Sequence, residues 1–417
     1  MGTTHIVIDR DPPTAATIQR AVDEMAGTGG GVVEVPAGTY RMENALRLRD
    51  GVRVVGEAGT VLEKAPSVAS VIVDYLGYGH YELTVAEPEK FRVGMGVHVL
   101  DDKAFGFYTT VATIVGIDGE RLFIDRMLNH DYAPADHARA VSAYSLVEME
   151  GVSNAGIEGL TLDGNMDEET FTLNGCRGSG VFVLGSRSIE VCGVEVRNYR
   201  GDGIGFQQCV DVNVTACGVH HVTGQGLHPG SGTVRYVISG NHVHDNGGCG
   251  IFYCLRTTHS RCDRNTIERN GLDGISIGER DSDHLIEGNV IRENGGAGVL
   301  FREPMRRSGD RVRLRRNEIA ANGKGEGRAE IDIAAGLREV WVESNAIRPE
   351  SRPVICVGGP VEEVYVVGNT VDGREQRAED VVGDSGGVRF ESPVGFAEVG
   401  PEAAPKDGAR HLGVGEI

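Results

Sequence analysis

The sequence predicts an all-β fold, a single parallel β-helix in which every turn of the chain adds short strands to several long parallel sheets. A glycine followed by an aliphatic residue recurs every 23 or 24 residues, at Gly156, Gly180, Gly203, Gly226, Gly250, Gly274 and Gly298. A ladder of asparagines runs through the same region, at Asn241, Asn265, Asn289, Asn317, Asn345 and Asn369. Apolar and polar residues alternate briefly between these markers, as in strands and turns. A fixed repeat of this length indicates a solenoid.

The repeat also predicts which side chains form the core. Equivalent residues of successive turns stack at about 4.8 Å, so an inward position becomes a column of apolar side chains. The residues that follow the glycines form one predicted column, Val181, Ile204, Leu227, Ile251, Ile275 and Val299. A second column lies two positions further along, at Val183, Phe206, Pro229, Tyr253, Ile277 and Phe301. Leucine-rich repeats have a similar period, but their leucine signature and their helix are missing here.

Residues 1–63 predict a cap and the first turns of the solenoid. The stretch "PTAATIQRAVDEMAGTGGG" is amphipathic, with Ile18, Ala21, Val22 and Met25 on one face and glycines at its end, which indicates a helix. The stretch "GVVEVPAGTY" then predicts the first strand and turn. A helix at this position would shield the open end of the solenoid from edge-to-edge pairing.

The repeat is interrupted over residues 64–145. The stretches "YELTVAEPEKFRVGMGVHVLDD" and "TTVATIVGIDGERLFIDRML" are typical of strands, with a hairpin turn at "IDGE". We therefore expect an inserted small β subdomain, which is either a structural excursion or one wall of a cleft. The repeating turns occupy residues 146–372. Residues 373–417 are expected to form C-terminal strands and an irregular tail rich in Pro, Ala and Gly.

The chain resembles a known superfamily. The stretch "TIQRAVDEMAGTGGGVVEVPAGTYRM", followed by "LRDGVRVVGE", is similar to the opening of pectate-lyase-like right-handed β-helix proteins, and the turns over residues 156–371 resemble their repeats. The resemblance covers most of the chain outside the insertion and the tail. It implies a right-handed solenoid. It also implies one of the functions found on this fold: polysaccharide lyase, glycoside hydrolase, fructan transferase, sugar epimerase or non-catalytic carbohydrate-binding spike.

Composition disfavours several classes of partner. The chain has 41 Lys and Arg against 61 Asp and Glu, a net charge of −20, so nucleic acid and anionic membranes are poor partners. The first residues lack the basic start and apolar run of a signal peptide, and no stretch approaches ~20 apolar residues. The eight cysteines follow no zinc spacing and are expected to be reduced. We expect a cytoplasmic protein, with a secreted mature form as the alternative.

Two glutamates recur at the same place in adjacent turns and form the first candidate active site. Glu279 ends "GISIGE" and Glu303 ends "GVLFRE", so their backbones should lie about 5 Å apart. Two carboxylates that close repel each other, and the pKa of one should rise. Such a pair serves as acid and nucleophile in glycoside cleavage. Arg256, Arg280 and Arg302 are predicted to tune the pair and bind substrate, and the alternative is a ladder of cross-turn ion pairs on a solvated face.

A second candidate centre lies a few turns earlier. Asp202 in "GDGIGFQQC" and His228 in "GLHPGSG" fall on neighbouring turns, and His228 could act as an acid, a base or a hydroxyl ligand. Both are counted as candidate catalytic residues, unless Asp202 only caps a turn before its glycine. Four further residues are predicted to bind substrate, on or near this surface: Gln207, Gln208, Ser231 and Asp273.

No cofactor or catalytic metal is predicted. The stretch "ERDSD" places Asp281 and Asp283 in one acidic turn that could hold calcium, as the resemblance implies for β-helix lyases. One turn supplies few of the oxygen ligands that calcium takes. The histidines are scattered without a zinc spacing, and no phosphate-binding loop or dinucleotide fingerprint occurs in a supporting context.

The predicted function is a carbohydrate-active enzyme on an oligo- or polysaccharide, a glycoside hydrolase or transglycosidase that uses the carboxylate pair. A polysaccharide lyase or uronate epimerase is the first alternative, in which Arg256, Arg280 and Arg302 would neutralise the sugar carboxylate. A non-catalytic glycan-binding solenoid is the second, and an enzyme on a non-sugar metabolite stays open because a fold does not determine chemistry. Broad flat faces also predict a homo-oligomer such as a trimer.

Overall fold

The computed structural model describes residues 5–7, 14–104, 106–168, 171–303, 309–324, 328–334, 336–350, 353–383 and 386–391. Over these residues the chain is a single β-solenoid of three long sheets, with one α-helix at its N-terminal end and a six-stranded sheet inserted after the first turns. The predicted fold class is confirmed. Most of the predicted irregular tail, residues 392–417, lies outside the described residues. In the described part, no helix is both long and apolar enough to cross a bilayer.

Each complete turn of the solenoid contributes one strand to each of three sheets. Sheet A has 13 strands: His5–Val7, Gly31–Val35, Val52–Gly56, Ser153–Glu158, Arg187–Cys192, Val210–Thr215, Val234–Ser239, Thr258–Asp263, Ser282–Glu287, Arg313–Arg315, Arg338–Glu343, Glu362–Val367 and Val388–Arg389. Sheet B has 12: Gly38–Met42, Thr60–Lys64, Thr161–Asp163, Glu195–Arg197, Gly218–His220, His242–His244, Thr266–Glu268, Val290–Arg292, Glu318–Ala320, Ala346–Arg348, Thr370–Val371 and Arg374–Glu375. Sheet C has 11: Leu46–Arg47, Val147–Glu150, Ser179–Leu184, Asp202–Gln207, Leu227–Gly230, Ile251–Phe252, Ile275–Ile277, Val299–Phe301, Ile331–Ile333, Ile355–Val357 and Val381–Gly383.

The α-helix Ala15–Gly27 packs against the first strands of the solenoid. Thr14 begins it, because the Thr14 hydroxyl accepts a hydrogen bond from the backbone N–H of Thr17 at 3.2 Å. The buried face consists of the four residues predicted from the amphipathic pattern, Ile18, Ala21, Val22 and Met25. The helix therefore covers the N-terminal end of the apolar core.

The predicted apolar columns form that core. Residues of the first column pair in register from turn to turn and are fully buried: Val181, Ile204, Leu227, Ile251, Ile275, Val299, Ile331 and Ile355. All eight cysteines are free thiols, and four of them are buried.

One member of the predicted glycine ladder was placed wrongly. Gly156 pairs with Glu190 in sheet A, whereas the strand next to Gly180 in sheet C is Val147–Glu150.

Buried asparagines connect the turns, as the stacking of the repeat predicts. The amide of Asn241 donates to Oδ1 of Asn265 at 2.9 Å, and the same bond repeats at each turn as far as Asn369. A second ladder, which was not predicted, runs from Asn246 through residues 270, 294 and 322 and ends on the carboxylate of Glu330. Because every buried amide is paired, the ladders hold the register of the turns.

The insertion forms an antiparallel sheet with its own apolar core. Its strands, in spatial order, are Ala69–Val71, Arg139–Val141, Gly96–Leu100, Thr110–Asp118, Arg121–Ile124 and Glu82–Thr84. Four short 3-10 helices complete the described elements: Pro88–Lys90, Gly106–Tyr108, Pro134–Asp136 and Ala378–Asp380. Ion pairs join the insertion to the solenoid, since Arg47 contacts Asp125 at 3.1 Å and Glu148 at 3.0 Å. The insertion therefore stands beside the outer face of sheet C.

Candidate active site

The outer face of sheet C carries the candidate active site. Between the apolar columns, one outward position presents a different side chain at every turn: Glu148, Phe182, Gly205, His228, Phe252, Ser276 and Leu300. The first of these lie next to the insertion. The column therefore combines aromatic rings with polar groups over consecutive turns, at a regular pitch of about 4.8 Å.

Asp202 and His228 form a buried pair on this face. Oδ2 of Asp202 lies 2.6 Å from Nδ1 of His228, and Oδ1 accepts the backbone N–H of Gln225 at 2.7 Å. Burial lowers the pKa of His228, but the Asp202 hydrogen bond and the nearby Cys254 thiol outweigh it and raise the pKa to about 10. The ring is therefore protonated at neutral pH. Its Nε2 is buried and forms no hydrogen bond of ordinary geometry among the described residues, although the Cys254 side chain lies close enough to influence the pKa of the ring.

A loop over residues 171–178 covers this pair. Gln207 is fully buried, and its amide donates to the carbonyl of Gly175 at 2.8 Å and accepts the Ser231 hydroxyl at 3.1 Å. A Cβ on Gly175 would lie only 1.9 Å from Asp202 Oδ2, so the close approach of the loop requires glycine. Gln207 and Ser231 were predicted to bind sugar hydroxyls. In the structure both are buried and bonded to each other, and Gln207 holds the loop on the sheet; substrate binding by them stays a prediction.

Arg302 lies across the same face. Its guanidinium stands 4.1 Å over the ring of Phe252, and that ring packs edge-on against His228 at 5.4 Å. The Arg302 guanidinium donates hydrogen bonds to the Ser276 hydroxyl at 2.9 Å and to two backbone carbonyl oxygens of an earlier turn. A Cβ on Gly278 would lie 1.6 Å from the guanidinium. The Arg302 side chain can therefore cross the sheet in this position only because residue 278 is glycine. The stack connects Arg302 to the Asp202–His228 pair through one aromatic ring.

Arg177 and Arg302 share an unusual electrostatic state. Burial lowers the pKa of both guanidinium groups, and neither forms an ion pair with a carboxylate in the described part of the chain. Arg177 donates to the backbone carbonyl of Phe107, and its Nε is buried without a hydrogen-bond partner among the described residues. Carboxylates act on both cations without direct contact, Glu150 on Arg177 and Asp281 on Arg302, and an anionic ligand in direct contact would stabilise each half-buried guanidinium further.

A cleft of about 190 Å³ separates the insertion from sheet C next to this loop. Phe182, Arg177 and two carboxylates, Glu148 and Glu150, line it. The two glutamates stand two positions apart on the strand Val147–Glu150, which separates their backbones by about 6.6–6.8 Å by strand geometry. Glu148 pairs with Arg47, and Glu150 lies 2.6 Å from an arginine of the insertion. Sequence reasoning missed both, because this turn lacks the marker glycine, although "VEME" repeats the alternation of "VFVL".

Three predicted substrate-binding residues lie away from the face. Gln208, Arg256 and Arg280 have left-handed backbones, with φ of 55°, 57° and 60°, and all three are exposed. They occupy the corner where the chain leaves sheet C for sheet A. The corner separates these three residues from the strand face that carries Arg302, so the structure does not bring them together with it.

The predicted carboxylate pair, Glu279 and Glu303, is more exposed to solvent than the buried Asp202–His228 pair. Glu279 forms an ion pair with Arg280, with Oε1 3.1 Å from Nε, and its side chain is 18% exposed. Glu303 is exposed, immediately before residues that lie outside the described part. Neither of the two predicted cross-turn partners, Arg302 for Glu279 or Arg280 for Glu303, is used among the described contacts. Catalysis by Glu279 and Glu303 stays a prediction.

The remaining predicted aspartates cap turns or form ion pairs. Asp273 accepts the backbone N–H of Ala297 in the next turn at 2.9 Å, just as Asp202 accepts that of Gln225. Among its described contacts, however, none is with a histidine. Asp281 is buried and accepts from Thr257 at 2.8 Å, whereas Asp283 pairs with Arg311 at 2.6 Å. The two carboxylates of the proposed calcium turn therefore serve different partners.

The Asp202–His228 pair predicts a pH-dependent stability. The pKa of His228 is raised from 6.5 to about 10, so its stabilisation is complete below about pH 6.5 and lost as pH rises through about 10. We expect the thermal midpoint of wild type to exceed that of Asp202→Asn most at about pH 6, with the gap closing as the pH rises toward 10. Asp211→Asn, which removes a surface ion pair with Arg235, is the control without such a trend. Parallel curves for wild type and Asp202→Asn would contradict the raised pKa.

Comparisons with known proteins agree with this architecture. Residues 147–332 match the family described as "Periplasmic copper-binding protein (NosD)". Among curated proteins, no significant match was found.

The copper in that family description does not fit the histidines of this chain. His220, His242 and His244 stack their rings on sheet B, with centroids 4.8 Å and 4.0 Å apart. One ring nitrogen of each faces a carboxylate: His220 lies 3.1 Å from Glu195, His242 3.0 Å from Glu268 and His244 2.6 Å from Asp245. In the described residues, no group of three or more His, Cys, Asp or Glu is arranged to hold a metal ion.

Solved structures share the fold at low identity. The A-module of mannuronan C-5 epimerase AlgE4 from Azotobacter vinelandii is 17% identical, with 91% of this chain and 96% of that chain covered and a TM-score of 0.57. The family 28 exopolygalacturonase of Yersinia enterocolitica is 14% identical, with 95% and 78% covered and a TM-score of 0.54. At these identities the likeness shows the fold alone. The chain therefore has the right-handed parallel β-helix fold.

Proposed function

We propose that this protein is an enzyme that acts on an anionic polysaccharide bound along the outer face of sheet C, as a lyase or a uronate epimerase. The observation that carries the proposal is the pair of half-buried guanidinium groups, Arg177 and Arg302, that form no ion pair with a carboxylate among the described residues and lie beside the buried Asp202–His228 pair. The similarity of the fold to a mannuronan epimerase and a polygalacturonase supports a sugar polymer as the substrate.

The positive charges of Arg177 and Arg302 favour a substrate that carries carboxylates. The chain carries a net charge of −20, so a polyanion would bind only where positive groups are concentrated. Arg302 contacts the turns at 253 and 276, and Arg177 lies in the loop over the turns of Asp202 and His228. These positions are a few turns apart, roughly 10–15 Å along the axis. Carboxylates of neighbouring sugar units would neutralise the two cations.

The Asp202–His228 pair would supply the proton chemistry. In either reaction the proton next to the sugar carboxylate would pass to solvent on the open side of the face, because His228 is already protonated, and negative charge then develops on that carboxylate. Arg302 would stabilise this charge, since a planar guanidinium binds both carboxylate oxygens. His228, kept protonated by Asp202, holds an N–H at Nε2 that forms no hydrogen bond of ordinary geometry among the described residues. That proton would go to the leaving oxygen in a lyase or back to the sugar carbon in an epimerase.

Product analysis tests the reaction class. The purified full chain is incubated with mannuronan and with polygalacturonate. An unsaturated product that absorbs in the near ultraviolet indicates a lyase, and an inverted sugar configuration in the NMR spectrum indicates an epimerase. New reducing ends without that absorbance indicate a hydrolase and would overturn the proposed reaction. No product and no binding on either polymer would overturn the substrate class as well.

Arg302→Lys is expected to lower kcat/KM on the polyuronate by about 10–10²-fold, because an ammonium group cannot replace the planar contact with a carboxylate. Arg256→Lys is the matched control, since Arg256 is an exposed arginine at the corner of an adjacent turn and should leave kcat/KM unchanged. Steady-state kinetics of both variants measure the difference. Equal kinetics for Arg302→Lys and wild type would remove Arg302 from the site.

A glycoside hydrolase is the second candidate, and the carboxylates of the cleft favour it. Their backbone positions lie about 6.6–6.8 Å apart on one face of the strand, and such a spacing lets the two carboxyl groups reach the ~6.5–9.5 Å separation of inverting hydrolases. Glu148→Gln and Glu150→Gln would then abolish release of reducing ends. Glu279→Gln and Glu303→Gln test the pair predicted from the repeat in the same assay.

The location forms part of the proposal. The matched family is described as periplasmic, and polysaccharides of this kind are encountered outside the cytoplasm. We therefore place the protein outside the cytoplasm, in place of the cytoplasmic expectation drawn from the N-terminal residues.

A further inference from the structure

The insertion carries nearly all the exposed apolar side chains of the described chain. Of the fifteen large hydrophobic residues that are most exposed, only Leu272, Val382 and Phe390 lie outside it. Four aromatic residues stand out: Tyr75 is 59% exposed, Tyr78 63%, Phe107 40% and Tyr108 59%. A concentration of exposed rings on one small subdomain indicates a binding surface, because scattered single residues are the norm elsewhere.

Backbone pairing and one ring contact bring the segments that carry these rings together. Residues 76–80 pair with residues 128–132 through backbone hydrogen bonds of 2.8–2.9 Å. The backbone N–H of Tyr78 donates to Asp131 at 2.7 Å. Within the same stretch, the ring of His130 lies 6.2 Å from the ring of Tyr108. We call Tyr75, Tyr78, Phe107, Tyr108 and His130 the aromatic rim.

The aromatic rim continues into the proposed active site. The guanidinium of Arg177 lies 5.6 Å from the ring of Phe107 and donates to its backbone carbonyl. Arg177 also lines the cleft, and it belongs to the loop whose Gly175 rests on Asp202 and His228. Asn129 lines the cleft too and donates to Thr109 at 3.1 Å, beside the rim. One continuous surface therefore runs from the catalytic pair to the exposed rings.

We infer that the aromatic rim binds sugar units of the polysaccharide beyond the reacting unit, so that the insertion extends the substrate groove. The inference rests on the proposed function. A sugar ring has a CH-rich face that packs on an aromatic ring and hydroxyls at its edge that bind polar groups. Tyrosine supplies both the ring and a polar tip.

Polarity and charge favour a polysaccharide over a protein partner on this surface. Polar residues lie beside the rim: Asp131 accepts the backbone N–H of Tyr78, the His130 ring packs against Tyr108, and Asn129 donates to the backbone carbonyl of Thr109. A subunit interface would instead bury a continuous apolar core. The positive charge of Arg177 at the inner end of the rim suits a polymer that carries carboxylates.

Binding of long and short substrates tests the inference. Tyr108→Ala and Tyr78→Ala, alone and combined, are made in the full chain, and isothermal titration measures their affinity for mannuronan and polygalacturonate and for trisaccharides of each. We expect affinity for the long chains to fall by about tenfold in the double variant, since an aromatic contact contributes ~0.5–1.5 kcal/mol. Affinity and turnover on the trisaccharides should stay unchanged.

Ile117→Ala is the matched control. Ile117 is 38% exposed and lies near the far end of the strand Thr110–Asp118, seven residues from the cleft residue Thr110, or roughly 23 Å. It should bind both polymers like wild type.

Each other outcome is decisive. Wild-type affinity for long chains in the tyrosine variants, or an equal loss on trisaccharides, would overturn the inference and leave the proposed function standing. A light-scattering mass above one chain that drops in the tyrosine variants would make the rim a subunit interface. Binding with rim dependence but without any product would retain the rim and overturn the proposed reaction. A wild type that binds neither polymer would overturn both.

Discussion

Replacing His228 by glutamine is expected to lower turnover on the polyuronate substrate by about 10²–10⁴-fold while the protein stays folded. The imidazole is the protonated partner of Asp202, and its Nε2 forms no hydrogen bond of ordinary geometry among the described residues. Glutamine keeps a polar side chain but cannot carry a mobile proton. Steady-state kinetics and the far-ultraviolet circular dichroism spectrum of wild type and variant give the comparison.

His259→Gln is the matched control, because His259 is exposed at a corner between sheets and contacts none of the site residues named above. It should keep wild-type turnover. Asp202→Asn should resemble His228→Gln, since the ring would lose the partner that keeps it charged. If Glu279→Gln and Glu303→Gln each lowered turnover by ~10³-fold and His228→Gln did not, the centre would move to the predicted carboxylate pair.

Ile275→Asp is expected to unfold or aggregate the protein. Ile275 is fully buried and pairs in register with Ile251 on one side and Val299 on the other. The new carboxylate would lie in a continuous apolar column with no cation to pair with, which is strongly unfavourable. Soluble yield, circular dichroism and the thermal midpoint measure the effect.

The control for this substitution is Leu272→Asp, three residues away in the same turn. Leu272 is 46% exposed, so an aspartate there stays hydrated and should leave the thermal midpoint nearly unchanged. A soluble Ile275→Asp variant with the wild-type midpoint would contradict the register of sheet C. Each turn of a solenoid contacts only its neighbours, so the damage should spread from the middle of the stack.

The sequence by itself determined the solenoid, its inward columns, the first asparagine ladder and the buried face of the N-terminal helix. These features repeat from turn to turn along the axis of the solenoid. The polarity of each residue therefore indicates whether its side chain points into the core or out to solvent. Ile251 and Ile275, for example, are equivalent by spacing alone, and stacking of successive turns makes them neighbours. Asp202 and His228 were placed on adjacent turns by the same count.

Only the tertiary structure decided how the site is enclosed. The loop around Gly175 lies over Asp202 and His228, Arg302 turns back over Phe252, and residues of the insertion face Glu148 across a cleft. These contacts join segments that break the repeat, so no periodic pattern predicts them. The left-handed backbone at Arg256 and Arg280 was not predictable from the repeat either. Counting residues placed both side chains beside Arg302, whereas the structure places them at a corner. A turn of the backbone at one residue moves a side chain from the strand face to the solvent, and that rotation is a property of the folded chain.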